Sequence, residues 1–221
     1  MGFSHDLIKS VRPLWDRMLD HRFLRETRDG EIAFDTFANW MRQDYQFVEA
    51  AIPFLAVLSA RAPRDDRPFL TGAIGALETE LDLFRERAGA AGVELETVRP
   101  SLINHGYIQF LMATAYQRSY PEGFTVLYAA EKAYFDSWTV VRQGLDVSSP
   151  WYPFVDNWAG DDFAQWVARL ETRLDRMGGA AGPIERKHMA ELFELTTRWE
   201  IAFWEMAYTG AGWPGIPEEG P

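Results

Sequence analysis

Three features of the sequence predict an all-α fold, a helical bundle of about seven to eight helices. Apolar residues recur at i, i+3, i+4 and i+7 nearly end to end, the spacing that turns one helix face toward a core. No segment alternates with period two for long enough to read as a strand. Proline and glycine fall mostly between the periodic stretches, where they punctuate rather than interrupt.

Helices are expected at about 5–20, 35–61, 68–89, 101–118, 121–144, 161–178 and 183–208. The first and fourth rest on periodicity alone. The second has Asp35 as its N-cap and carries Pro53 inside, which should bend or split it. The third closes at Gly89, the fifth opens with Pro121 and closes at Gly144, and the sixth runs from an Asp161 cap to Gly178. The seventh opens with Pro183, tolerated in a first turn. Connections are short except 145–160, where Ser148-Ser149-Pro150-Trp151-Tyr152-Pro153 leaves room for one helical turn. Residues 1–209 are expected to form a single all-helical domain. Residues 210–221, rich in glycine and proline, are expected to form a flexible tail.

Composition removes several function classes. The chain has no cysteine, hence no disulfide, no thiolate nucleophile and no cysteine-based metal site. A net charge of −11, with arginines interleaved among acidic residues, argues against binding a phosphate backbone, so no nucleic-acid partner is expected. No apolar run approaches the roughly 20 residues of a membrane span. The opening Met1-Gly2-Phe3-Ser4-His5-Asp6 lacks the layout of a secretory signal, so cytoplasmic residence is the expectation.

The chemistry-bearing residues are three carboxylates, each alone on an apolar helical stripe. Asp44 sits among Phe37, Trp40, Met41, Phe47, Val48, Ala51, Ile52 and Leu55. Glu131 sits among Phe124, Leu127, Tyr128, Tyr134, Phe135 and Trp138, and Glu200 among Leu192, Phe193, Thr196, Trp199, Phe203 and Ala207. An ionisable group on such a face must be paired, neutralised by a shifted pKa, or used. For any one of them, a buried carboxylate satisfied by a distant Arg or Tyr is a sufficient explanation. Their recurrence on three helices favours one interior polar site lined by rings. Lys132 points elsewhere on its helix, and Glu205 lies off its stripe in solvent.

Other chemistries fit less well. A di-iron bundle needs about four carboxylates and paired Glu-x-x-His motifs. Only Glu185-Arg186-Lys187-His188 has that form, so no metal is expected. His21 as a haem ligand is weaker than His21 as a structural or capping group, and no cofactor is expected. There is no Gly-x-Ser-x-Gly elbow, and Gly72-Ala73-Ile74-Gly75 is not a phosphate loop. Carboxylate acid/base work on a flat, stackable ligand remains.

The runs Gln43-Asp44-Tyr45-x-Phe47-Val48, Ala129-Ala130-Glu131-x-x-Tyr134 and Glu200-Ile201-Ala202-Phe203-Trp204-Glu205-Met206-Ala207-Tyr208 resemble the TenA/thiaminase II family. So does His21-Arg22-Phe23-Leu24 followed by Asp29-Gly30, and the resemblance covers about residues 12–209. It implies the haem-oxygenase-like helical bundle, without haem. It also implies hydrolysis of aminopyrimidine products of thiamin breakdown to hydroxymethylpyrimidine, for thiamin salvage. Asp44 matches the family's substrate-binding Asp, Tyr107 its active-site Tyr and Glu200 its catalytic Glu. The nucleophilic Cys position falls on Ala130, so the chain resembles the Cys-lacking, glutamate branch, with Glu131 as the matching glutamate. That branch is associated with aminopyrimidine and its N-formyl form rather than with thiamin cleavage. Phe47 and Trp158 stand where the Cys-bearing branch carries Tyr. The ring would stack among Phe47, Tyr134, Trp158 and Phe203, with Asp44 accepting from the exocyclic amine, Glu131 serving water as base and Glu200 protonating the leaving nitrogen. A homodimer or homotetramer is implied as well. The competing expectations are a non-catalytic pyrimidine-binding protein and a metal-dependent oxygenase on the same fold.

Overall fold

A computed structural model describes residues 2–95 and 98–215. Its described residues form ten α-helices and no strand. The chain divides into two compact units, Met1–Ile32 with Phe124–Trp204, and Ala33–Gly123 with Glu205–Pro221.

In the first unit, α1 (Phe3–Ser10) and α2 (Arg12–Leu19) replace the one helix expected over 5–20. Val11 breaks the run at φ −110°, ψ 16°, and Pro13 sits in the first turn of α2, where its missing N–H costs nothing. A seven-residue α3 (Arg22–Arg28) follows, unanticipated from periodicity; His21 caps it, its Nδ1 accepting from the Phe23 N–H at 3.2 Å. Helix α7 (Tyr120–Arg142) contributes its main part here, followed by α8 (Tyr152–Ala159), two turns where one was expected. Then come α9 (Asp161–Ala180) and most of α10 (Pro183–Thr209).

Helix α1 lies on α9, tied by the Ser4 N–H to Asp175 Oδ1 at 2.7 Å and the Ser4 hydroxyl to Glu171 Oε1 at 3.3 Å. Gly178 is inside α9 rather than at its end. A Cβ there would lie 2.2–2.6 Å from Phe3 ring and Cβ atoms, so close packing, not capping, demands the glycine. Gly144 also caps nothing in the left-handed region, and a Cβ there would meet Arg28 Cγ at 2.7 Å. Asp161 is the first residue of α9, with Gly160 as the cap.

The second unit is built on α4 (Phe34–Arg61), against which α5 (Arg67–Ala91) and α6 (Leu102–Gln117) pack. Ala33, not Asp35, caps α4; Asp35 lies in the first turn, where its charge suits the dipole. The helix runs on through Pro53 without splitting. Helix α5 continues past Gly89 to Gly92, whose φ of 70° supplies the left-handed stop, with Val93 N–H closing onto the Ala88 carbonyl at 2.9 Å. A reciprocal cap at the start of α7 joins the Ser119 N–H to Glu122 Oε2 at 2.9 Å and the Glu122 N–H to Ser119 Oγ at 3.4 Å. The core of this unit gathers Phe37, Trp40 and Phe84, with Trp40 and Phe84 centroids 5.8 Å apart.

Of the expected tail 210–221, residues 216–221 lie outside the described residues. Gly210 ends α10 at φ 68°, and Trp213 donates its indole N–H to the Pro100 carbonyl at 3.1 Å. Among the described residues no helix is long and apolar enough to cross a membrane.

Candidate active site

The three stripes read from the sequence face inward. Asp44 is 0 % exposed, Glu200 1 %, and Glu131 half-buried. Their placement is clearest in the first unit, where α7 carries Glu131 and α10 carries Glu200.

Two ring pairs bracket these glutamates. Tyr128, one turn before Glu131, packs on Phe193 with centroids 6.2 Å apart. Tyr134, one turn after it, stacks on Trp204 at 5.4 Å and 21°. Phe193 and Trp204 lie before and after Glu200 on the same α10 stripe. The stretches of α7 and α10 holding the two carboxyls therefore pack against each other through these rings.

The surrounding rings form one connected lattice. Trp138 stacks on Trp158 at 5.6 Å and 22°, and Phe154 stacks on the same indole at 6.0 Å and 7°. Tyr134 meets Trp158 edge-on at 6.0 Å, and Phe203 meets Trp204 edge-on at 6.2 Å. Tyr134 touches both Trp158 and Trp204, and Phe203 joins them through its neighbour Trp204. Trp138, read from sequence as a stripe residue, and Trp204, quoted only within the family-like C-terminal run, are the links.

Such walls offer few dipoles to a charge. Desolvation pushes the Glu131 carboxyl up to about 7, against the opposing pull of a hydrogen bond from Trp166. Some of the residue's surface is accessible while its carboxyl is enclosed by protein, and the enclosure sets the direction. Lys132 does not neutralise it: its ammonium is bound to Asp136, which also accepts the Trp15 indole N–H at 3.1 Å. Trp166, on α9, was not singled out from sequence. Nothing in the spacing of an amphipathic helix marks one indole as a partner for a carboxyl on another.

In the second unit, α4 carries Asp44 and, one turn on, Phe47. Tyr107 of α6 packs on Phe47 with centroids 4.7 Å apart and planes at 43°. Tyr45 turns the other way, to Phe84 at 6.3 Å and under the Arg85 guanidinium at 5.5 Å. Asp44, Phe47 and Tyr107 therefore belong to one α4–α6 face. The buried Gln43 and Asn104 join the same two helices through hydrogen bonds. They were missed because buried amides carry no periodic signal.

Among the described residues no group of three or more His, Asp or Glu side chains is arranged to hold a metal ion. Arg198 pairs with Glu194 at 2.7 Å on the surface, and Glu205 is exposed.

A family model described as TENA/THI-4/PQQC matches residues 8–210. The chain is 25% identical over 222 residues to an aminopyrimidine aminohydrolase of Halalkalibacterium halodurans, covering 96% of this chain and 98% of that one. A crystal structure of a TenA homologue from Pyrococcus furiosus superposes with a TM-score of 0.90 at 35% identity, over 93% of this chain and all (100%) of the other. A domain from Shewanella denitrificans described as having a heme oxygenase-like fold superposes with a TM-score of 0.76 at 14% identity, over 93% and 92% of the two chains. The last likeness establishes the fold class expected from the sequence.

Proposed function

We propose, from the premise that this chain belongs to the TENA/THI-4/PQQC family, that it hydrolyses an aminopyrimidine or N-formyl-aminopyrimidine to hydroxymethylpyrimidine for thiamin salvage. The observation that carries this reading is Glu131, held near neutral pKa on a helix whose flanking rings pack on those flanking Glu200. A general acid or base works best when its pKa lies near the working pH. The substrate class follows the relative named an aminopyrimidine aminohydrolase.

In the aminomethyl case, water attacks the methylene carbon, a C–O bond forms and the C–N bond breaks. Glu131 as carboxylate takes the proton from water, and Glu200 gives a proton to the departing nitrogen, which leaves as ammonia. In the formyl case, water adds to the formyl carbon, the C–N bond breaks, and formate and the amine depart. In these steps one glutamate is the base while the other is the acid. Asp44 accepts hydrogen bonds from the exocyclic amine, Tyr107 contacts the ring, and Phe47, Tyr134, Trp158 and Phe203 supply flat surfaces for it. With Ala130 in place of a cysteine, no covalent thiol step is available, and the glutamate branch of the family is the reading that fits. No metal or other cofactor enters these steps. The protein is read as cytoplasmic, working as a homodimer or homotetramer, which light scattering on the purified chain measures.

The test is incubation with 4-amino-5-aminomethyl-2-methylpyrimidine and its N-formyl derivative, followed by mass spectrometry. Hydroxymethylpyrimidine or deformylated amine is the expected product. Tight binding with no product would leave a pyrimidine-binding protein, and turnover that required added iron would leave an oxygenase.

A further inference from the structure

Gln43 is 5 % exposed and Asn104 0 %, and neither is assigned a role by the chemistry above. Together they make a directional clamp between α4 and α6. Gln43 Oε1 accepts from the Ser101 N–H at 2.9 Å and from Asn104 Nδ2 at 3.0 Å. Gln43 Nε2 donates to the Arg99 carbonyl at 3.3 Å. Asn104 Nδ2 also donates to the main-chain carbonyl of Gln43, at 2.7 Å. Ser101 in turn caps α6, its Oγ accepting from the Asn104 N–H at 3.2 Å.

The clamp sits beside the residues that meet the ligand in the proposed reading. Gln43 immediately precedes Asp44 on α4, and Asn104 lies one helical turn before Tyr107 on α6. Apolar contact between two helices tolerates small slides, whereas several hydrogen bonds of fixed direction admit one register. The amide of Asn104 cannot be reversed, since that would aim its oxygen at two acceptors.

We propose that Gln43 and Asn104 are positioning residues. They fix the register of α4 against α6 so that the Asp44 carboxyl and the Phe47–Tyr107 face keep one spacing toward the substrate's amino edge. This rests on the proposed aminopyrimidine reading and assigns no chemistry to either amide.

The experiment uses the full chain with the Gln43→Met single variant and the Gln43→Met/Asn104→Leu double variant. Each is measured for thermal unfolding and for steady-state kinetics on the aminopyrimidine, in wild-type and Asp44→Asn backgrounds. The double variant leaves the Ser101 N–H and the Arg99 carbonyl without their side-chain partner, so its Tm is expected below that of the wild type, and the kinetics are measured at a temperature where thermal unfolding shows each variant folded. In the Asp44-containing protein KM rises about 10- to 100-fold in both variants, the loss expected when a binding group shifts by about an ångström, while kcat changes by less than about threefold. In the Asp44→Asn background the same changes leave KM where Asp44→Asn alone has put it, because the amides act through Asp44. An unchanged KM in a folded variant, or effects that multiply with Asp44→Asn, overturns the proposal. A wild-type protein that neither binds nor converts the pyrimidine would sink the functional reading itself, a separate result.

Discussion

The α7–α10 stretch around Glu131 and Glu200 and the α4–α6 face around Asp44 handle a buried carboxyl in opposite ways. Around the glutamates the neighbours are rings: Tyr128, Phe193, Tyr134 and Trp204 bracket them, and Trp138 and Trp158 extend the stack. Around Asp44 the helix turn is pinned by amides, through Gln43 and Asn104, with the Phe47–Tyr107 pair alongside. Rings desolvate a carboxyl and move its pKa, which suits proton transfer. Directional amides hold a carboxyl at a fixed place, which suits recognition. In the proposed reading, carboxyls serve chemistry in one region and binding in the other.

The largest test of this contrast sets Glu200→Gln against Asp44→Asn in steady-state kinetics. Glu200→Gln lowers kcat about 10²–10⁴-fold with little change in KM, as expected for the loss of an acid. Asp44→Asn instead raises KM more than it lowers kcat. Equal effects of the two changes on kcat would erase the distinction.

Glu131→Gln sharpens it through pH. The native carboxyl is raised from 4.5 to about 7, so the folded protein prefers the neutral form. Its contribution to stability is fully present below pH 4.5 and is lost as pH rises through about 7, because only the unfolded chain ionises freely there. Denaturant unfolding of Glu131→Gln should match the wild type near pH 4 and show the variant more stable near pH 8. Its residual turnover should also lack a pH inflection near 7. An identical stability difference at both pH values would deny that this carboxyl is buried neutral.

The smallest effect belongs to Trp166→Phe, which keeps the ring and removes the N–H. That hydrogen bond lowers the Glu131 pKa, so its loss moves the inflection of the rate profile to higher pH with a modest change in maximal rate. Movement to lower pH, or none, would show that the indole does not act on Glu131.

How legible each part was depends on whether the signal is local. Helices α4, α5, α6, α7, α9 and α10 each came within about three residues of expectation, because periodicity over many residues averages out single exceptions. The short helices escaped: Val11 and Pro13 split one run into α1 and α2, and α3 is too brief for periodicity to register. The glycines misled more than they helped. Gly178 and Gly144 answer to Phe3 and Arg28, side chains distant in sequence, rather than to helix ends.

By itself, the sequence determined the helical class and the burial of Asp44 and Glu200, and it marked Phe47, Tyr107, Tyr134, Trp158 and Phe203 as ring residues worth placing. Burial follows from pattern, since a side chain's helical face is set by its position along its own helix. Only the tertiary structure decided that rings flanking Glu131 pack on rings flanking Glu200, that Trp166 reaches the Glu131 carboxyl, and that Gln43 and Asn104 join α4 to α6. Those are contacts between segments far apart in the chain, and their geometry depends on which helices meet and at what register, which no single stretch of sequence encodes.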